Sequence, residues 1–371
     1  MTVEFLKSKS LQNTVVALLF IVFAFFNCIR AQNSDSASFS DNLSLMSYID
    51  LYYGYDLGNP ENHNRPDFLY NYHRHNEVNL NAGIILLNYE EDRVRGNFGL
   101  MTGTYANRNL SHEMGLLKNI YQANIGVQLS KNKPLWLTVG VLESHIGFEG
   151  VLGAENWTMT RSLLAENSPY YSSGAQLTYT SKNKAWDFSG LLLNGWQQIT
   201  RVDGNQSIAF GHQIQWRPDE ELTLNSSSFL GNVYPDEIGR MRYFHNFYTQ
   251  FQGNKLGFTL GVDTGFEERI NSSDFNHWIG AIILFQYKIH SNWSTGIRGE
   301  FFSDRSGVVI AQSNFENLGL SLNLDYKISD KVLARIEGRS FKNQRDYFFF
   351  NDEAVDFNYY FGASISLTVS D

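Results

Sequence analysis

About sixteen short stretches of this chain alternate apolar and polar residues, and the connections between them are alternately short and long. Alternation gives a strand one greasy and one wet face, and alternating connection lengths give a closed antiparallel barrel one tight rim and one ragged rim. The pattern is plain in Ile49, Leu51, Tyr53 and Tyr55 against Asp50, Tyr52, Gly54 and Asp56. It recurs in Tyr121 to Leu129, in Leu318 to Tyr326, and at greatest length in Phe357 to Val369. The wet faces carry Gly, Ser, Asn and Thr rather than the many Lys and Glu residues of a soluble sandwich, which suits a crowded, hydrated lumen. The expected fold class is therefore all-β, a transmembrane antiparallel barrel of about sixteen strands.

One long apolar run stands apart, Val15 to Phe26. At about twelve residues it is too short to span a bilayer as a helix, and with Lys7 and Lys9 before it and Ile29-Arg30-Ala31 after it, it reads as a cleaved export leader. The expected organisation is a signal peptide over 1–31 and a single barrel domain over 32–371. The only cysteine, Cys28, falls in the leader, so thiolate chemistry and disulfides are not expected of the mature protein. Asn27 stands where lipid attachment to Cys28 needs a small residue, which argues against a lipoprotein. The formal charge of −9 disfavours nucleic acid as a partner.

Short polar turns fall near Glu90–Asp92, Ser130–Lys133, Ser181–Lys184, Pro218–Glu221, Gln252–Lys255, His290–Asn292 and Ser329–Lys331, with mostly longer loops between them. With both termini on the short-turn side, that rim is expected to be periplasmic and the loops external. Tyr179, Trp186, Trp216, Phe251, Tyr287, Trp293 and Tyr326 flank these turns with outward parity, as an interfacial aromatic girdle requires.

The third external connection, roughly Ser144 to Ser173, is the longest and carries apolar Trp157, Met159, Leu163 and Leu164; Thr160 to Glu166 is expected to form a short helix before Pro169. A loop with an apolar underside is expected to fold inward and narrow a wide, water-filled lumen. Its charged residues Glu149, Glu155, Arg161 and Glu166 are candidate constriction residues. By parity Arg93, Arg95, Arg298, Glu300, Arg335, Glu337 and Arg339 point inward. Two readings of these wall charges stand side by side: a basic wall facing an acidic loop across a transverse field, or ion pairs that stiffen the wall.

Other chemistry is thinner. His212 and Ser226 share outward parity near one turn, a pairing that lipid-face esterases use, but no acid or amide completes a triad. With Ser228, His245 and Thr249 they fit better as a polar seam against another subunit. His73 and His75, with His63 nearby, lack a carboxylate spaced to complete a metal site and read as part of a solvated loop. Neither a metal nor a cofactor is expected.

The segments Ser144-His145-Ile146-Gly147-Phe148-Glu149, Asn156-Trp157-Thr158, Thr160-Arg161-Ser162-Leu163, and Ala165-Glu166-Asn167-Ser168-Pro169-Tyr170-Tyr171 with Gly174 resemble the signature of OmpL-like β-barrel porins, the porin-2 group. Asn194-Gly195-Trp196-Gln197, Arg242-Tyr243-Phe244-His245 and Arg298 to Asp304 are similar to further segments of that family, and the resemblance runs over most of the mature chain. It implies an outer-membrane pore and brings no agreed substrate; the function expected here is a porin of a Gram-negative cell, not an enzyme, passing small hydrophilic solutes or ions by diffusion. The alternatives are a non-conducting adhesin or receptor barrel and an esterase. The chain departs from many outer-membrane barrels in ending Val369-Ser370-Asp371 rather than on an aromatic.

Overall fold

The computed structural model describes residues 42–270, 272–351 and 353–371, so the expected leader lies outside the described residues. The chain divides into Met1–Ser44, of which only 42–44 are described, and Leu45–Asp371. No described helix is long and apolar enough to cross a membrane, and the crossing elements are strands.

In chain order these are β1 (Leu43–Asp56), β2 (Val78–Glu91), β3 (Val94–Thr102), β4 (Ile120–Gln128), β5 (Leu135–Glu143), β6 (Tyr171–Thr180), β7 (Trp186–Leu193), β8 (Ala209–Trp216) and β9 (Leu222–Asn232). They continue as β10 (Met241–Gln252), β11 (Leu256–Glu268), β12 (Phe275–His290), β13 (Trp293–Asp304), β14 (Phe315–Ser329) and β15 (Val332–Asn343). A small hairpin, β16 (Phe348–Phe350) and β17 (Glu353–Val355), decorates the connection to β18 (Phe357–Ser370). Strands β1 to β15 with β18 close an antiparallel barrel of sixteen, each paired with its chain neighbours and β1 with β18. The sealing register runs from Met46↔Ser370 to Asp56↔Tyr360, and β1 starts at Leu43, earlier than its alternation begins.

Parity sets the two faces. Outward residues such as Leu51, Ile125, Leu177, Ile283, Leu322 and Phe361 are exposed, while their strand neighbours face in. At the short-turn rim the expected girdle stands on the outside: Trp186 stacks on Trp216 with ring centroids 5.7 Å apart, and Trp293 meets Tyr326 at 4.6 Å. Aromatics of this kind suit the level where headgroups meet hydrocarbon.

The wide, water-filled lumen expected from sequence is not what the barrel encloses. Loops 57–77, 144–170, 194–208 and 305–314 contribute Phe68, Leu69, Trp157, Leu163, Leu164, Trp196 and Ile310 to one hydrophobic core with inward-facing Phe229, Phe244, Trp278, Ile282, Leu284, Phe302 and Phe341. The physical reason lies in β9 to β15, where several inward positions are themselves apolar. Such positions are stable only when something dry covers them.

Two glycines aim the third loop. Gly140 on β5 and Gly174 on β6 pair with each other and hold φ of 133° and 154°. A Cβ would lie 2.1 Å from the Ala123 carbonyl at the first and 2.0 Å from that of Leu192 at the second. Beyond this kink Val141 and Leu142 are both buried, so strict alternation ends and the chain enters the lumen.

Candidate functional site

The third loop is tied to the inner wall through backbone and side chains alike. A one-turn helix, Leu163–Glu166, starts at Ser162, whose Oγ accepts from the Ala165 N–H; the preceding Thr160–Ser162, expected to be helical, is not. The Met159 N–H donates to Asn323 Oδ1 at 3.0 Å, and the Thr160 N–H and hydroxyl donate to the two oxygens of Glu337, each at 2.6 Å. The Leu163 N–H donates to Glu300 Oε2 at 2.7 Å. From the wall, Arg298 donates to Thr158 Oγ1 at 2.8 Å and to the Thr160 carbonyl at 2.6 Å, and Arg335 donates to the Asn156 carbonyl at 2.7 Å.

Small luminal residues make room for this docking. A Cβ at Gly257 would meet the Trp157 ring at 2.6 Å, and one at Gly280 would meet Leu164 at 2.8 Å. The inward glycines of β11 and β12 therefore form seats for loop side chains.

Wall charges and loop charges consequently do not face each other across water. Arg339 pairs with Glu300 at 2.6 Å, Arg298 with Glu337 at 3.1 Å and with Glu300 at 3.4 Å, and Arg335 with Asp325 at 2.7 Å. All are at most 5% exposed. The wall carries ion pairs that also grip the loop, and the transverse field expected from Arg298, Arg335 and Arg339 is replaced by direct contact. Buried charges left unpaired in so dry a place would be costly, which is why guanidinium, carboxylate and loop backbone interlock.

The three loop carboxylates have separate fates. Glu149 accepts from the Ser162 N–H at 2.9 Å and lies 3.8 Å from Arg298. Glu166 accepts from the N–H groups of Tyr70 and Asn71 at 2.9 and 3.3 Å, fastening the first loop to the third. Arg161 is buried, over the Tyr105 ring at 5.6 Å, and donates to the Tyr105 hydroxyl and the Glu149 carbonyl. Glu155 alone is exposed, and its carboxylate takes no hydrogen bond or ion pair from a described residue. Burial pushes its carboxyl pKa up, and the Glu143 charge adds to the shift.

Glu155 lines two cavities. One, of about 260 Å³, lies between the third loop and β4, β5 and β10, with Tyr121, Glu143, Phe148, Tyr170 and Tyr248 in its walls. The other, of about 710 Å³, opens at the short-turn rim among Trp157, Gln252, Lys255, Lys288 and Lys327. Glu143, which accepts from the Tyr121 hydroxyl at 2.7 Å, escaped the sequence reading because it sits past the Gly140 kink where parity no longer holds.

The remaining candidates are elsewhere. Arg95 reaches inward on β3 to Thr138 Oγ1 at 3.0 Å and over the Trp136 ring at 4.5 Å, far from the loop latch in the strand order. Arg93 lies in the short turn before β3 and donates to the Gln128 carbonyl, so it is a rim residue rather than part of the inner wall. His73 and His75 do not lie in a solvated loop: each is 1% exposed, His73 Nδ1 lies 2.9 Å from the Leu69 carbonyl, and His75 Nδ1 accepts from the Asp56 N–H at 2.9 Å. Among the described residues no group of three or more His, Cys, Asp or Glu is placed to hold a metal ion.

On the outer face, Ser226 Oγ lies 3.4 Å from His212 Nε2 and 3.3 Å from His245 Nε2, and Ser228 Oγ lies 2.5 Å from His212 Nδ1. This is a chain of hydroxyls and imidazoles, with a second imidazole where a triad would have an acid.

Known proteins share this architecture. An anion-selective porin from Comamonas acidovorans superposes with a TM-score of 0.60 at 8% identity, covering 88% of this chain and 99% of that one. OmpT of Vibrio cholerae gives 0.57 at 8% identity over 88% and 97%, and OprB of Pseudomonas putida 0.54 at 10% over 89% and 95%. Among curated proteins no sequence match is found. The family model described as "Putative beta-barrel porin-2, OmpL-like" matches residues 42–369, and the chain belongs to that family of outer-membrane β-barrel porins.

Proposed function

We propose that the barrel passes small hydrophilic solutes and ions across the outer membrane by diffusion, through a lumen narrowed by loop 144–170, after export by a leader over 1–31. The observation that carries this reading is the position of Glu155, an exposed carboxylate common to the luminal cavity and to the vestibule at the short-turn rim. The loop latched to β13–β15 leaves a cavity against β4, β5 and β10, so the solute path is bounded by the loop on one side and by these strands on the other. Glu155 and Glu143 are the carboxylates on this path, and fixed negative charge enriches cations beside it. Arg298, Arg335 and Arg339 act by holding the loop rather than by facing solutes.

The test is planar-bilayer conductance of purified, refolded protein. Stable open steps in KCl are expected; a correctly folded but silent barrel would overturn the pore reading in favour of an adhesin or receptor. Orientation is tested separately: cysteines replacing Asn183 or Asn254 at the short-turn rim are expected to react with an impermeant label only from the periplasm.

The outward chain of His212, Ser226, Ser228 and His245 supports a subunit contact. Polar groups there are poorly matched to hydrocarbon, even when satisfied among themselves, and a protein partner removes that mismatch. OmpT of Vibrio cholerae has been solved in a trimer form. Cysteine crosslinking at Phe210, which flanks the chain on β8, is expected to give oligomers, and the same change at Leu322 on the far wall is not.

A further inference from the structure

The cavity of about 260 Å³ beside the third loop has an unusual lining for a passage that merely conducts. Its walls bring together Tyr121, Phe148, Tyr170 and Tyr248 with the carboxylates of Glu143 and Glu155, Glu149 in the same wall turning its carboxylate away to Ser162, and no lysine, arginine or histidine lines it. Phe148 and Tyr248 meet edge to face at 5.4 Å, and Tyr121 is held by its hydrogen bond to Glu143. Tyr170 is only 8% exposed, yet its hydroxyl has no partner among the described residues. A buried hydroxyl without a partner is an open hydrogen-bonding position in a built site.

We propose that this cavity is a binding subsite for small organic cations, ammonium-bearing solutes above all. Ring faces attract a weakly hydrated cation through their quadrupole, while Glu155 and Glu143 neutralise it and the Tyr170 hydroxyl accepts an N–H where the ammonium carries one. A strongly hydrated inorganic cation gains less, because it must shed water to touch the rings. A neutral sugar also stacks on aromatics, but it does not call for carboxylates unaccompanied by any base. The inference depends on the pore reading only for access, since the ligand reaches the cavity along the lumen.

The probe is tetramethylammonium chloride, titrated calorimetrically into the refolded full-length barrel at constant ionic strength, with KCl and sucrose in parallel. Tetramethylammonium is expected to bind at least about tenfold more tightly than potassium. Glu155→Gln and Tyr248→Leu are each expected to weaken it by about tenfold. Glu143→Gln serves as a second acidic variant should either of these fail to fold, as judged by the mobility shift between unheated and heated samples. Equal affinity for potassium and tetramethylammonium, or sucrose binding that survives Glu155→Gln, would overturn the proposal. Single-channel traces in KCl on the same preparation separate the two readings. A conducting barrel that does not bind the probe sinks only the subsite, and a binding but silent barrel sinks only the pore.

Discussion

The two sides of this barrel are built from the same alternation and end in different states. Strands β11 to β15, of 12 to 16 residues, turn Arg298, Glu300, Asn323, Glu337 and Arg339 inward into a dry lattice that grips the third loop. Strands β3 to β8, of 8 to 10 residues, leave inward Arg95, Gln176, Thr178 and Asp187 half-buried, with buried but uncharged Asn124, Thr138 and Ser189 among them. An inward charge is thus half-buried on one side and part of a structural clamp on the other. What separates them is the loop lying between.

The largest expected effect attacks the clamp. Arg298→Met is expected to cost about 3–5 kcal/mol in urea refolding titrations, because it strands the Glu300 and Glu337 carboxylates in a dry site. The matching change on the open side, Arg95→Met, is expected to cost about 1 kcal/mol, as its guanidinium is half-solvated. Equal losses would erase the contrast between the two walls.

Arginine scanning sharpens the same comparison. At outward Leu322 it is expected to cost about 2–4 kcal/mol. Inward Ser321, 5% exposed and in register with both Arg298 and Arg339, is expected to reject arginine about as strongly, whereas Gln176→Arg on β6 is expected to be tolerated. If Ser321→Arg refolds like the parent, the sealed wall is wetter than its burial indicates.

Releasing the loop without touching a charge gives a smaller, functional effect. Gly257→Val fills the seat of the Trp157 ring and is expected to raise single-channel conductance about twofold, since the narrowest section dominates resistance. Unchanged conductance would mean that the loop does not limit the passage.

The smallest effect is in selectivity. Glu155→Gln is expected to lower the cation-to-anion permeability ratio about twofold, an effect that shrinks at high salt, while Glu149→Gln and Glu166→Gln leave it unchanged. Because burial and Glu143 raise the Glu155 pKa, its charge and the cation preference it supports are lost as pH falls, at a higher pH than for an ordinary carboxylate. Reversal potentials measured across a pH series check both the sign and the window.

How far the sequence carries depends on where alternation holds. It does so through most strands, and strand number, connection pattern, girdle and the inward parity of the Arg298–Glu337 group could all be read from it. It fails after Gly140, which hid Glu143. It also blurs at Ile282-Ile283-Leu284-Phe285, where four apolar residues in a row signal a strand buried on both faces. That run was a legible warning that β12 faces a covered lumen rather than water.

Composition likewise suggested an acidic loop acting on solutes. In the fold, two of that loop's three carboxylates accept backbone N–H groups, Glu149 from Ser162 and Glu166 from the first loop, and carboxylates elsewhere do the same, Glu113 from Ile199 and Thr200 and Asp304 from Val308 to Ile310. Loops folded away from water leave donors that must be satisfied, and a carboxylate offers two oxygens to do so. Sequence by itself determined that a closed barrel forms and which side chains face inward, because a period of two depends on local geometry alone. Only the tertiary structure decided which inward charges meet water, because that depends on where a loop far away in sequence comes to rest.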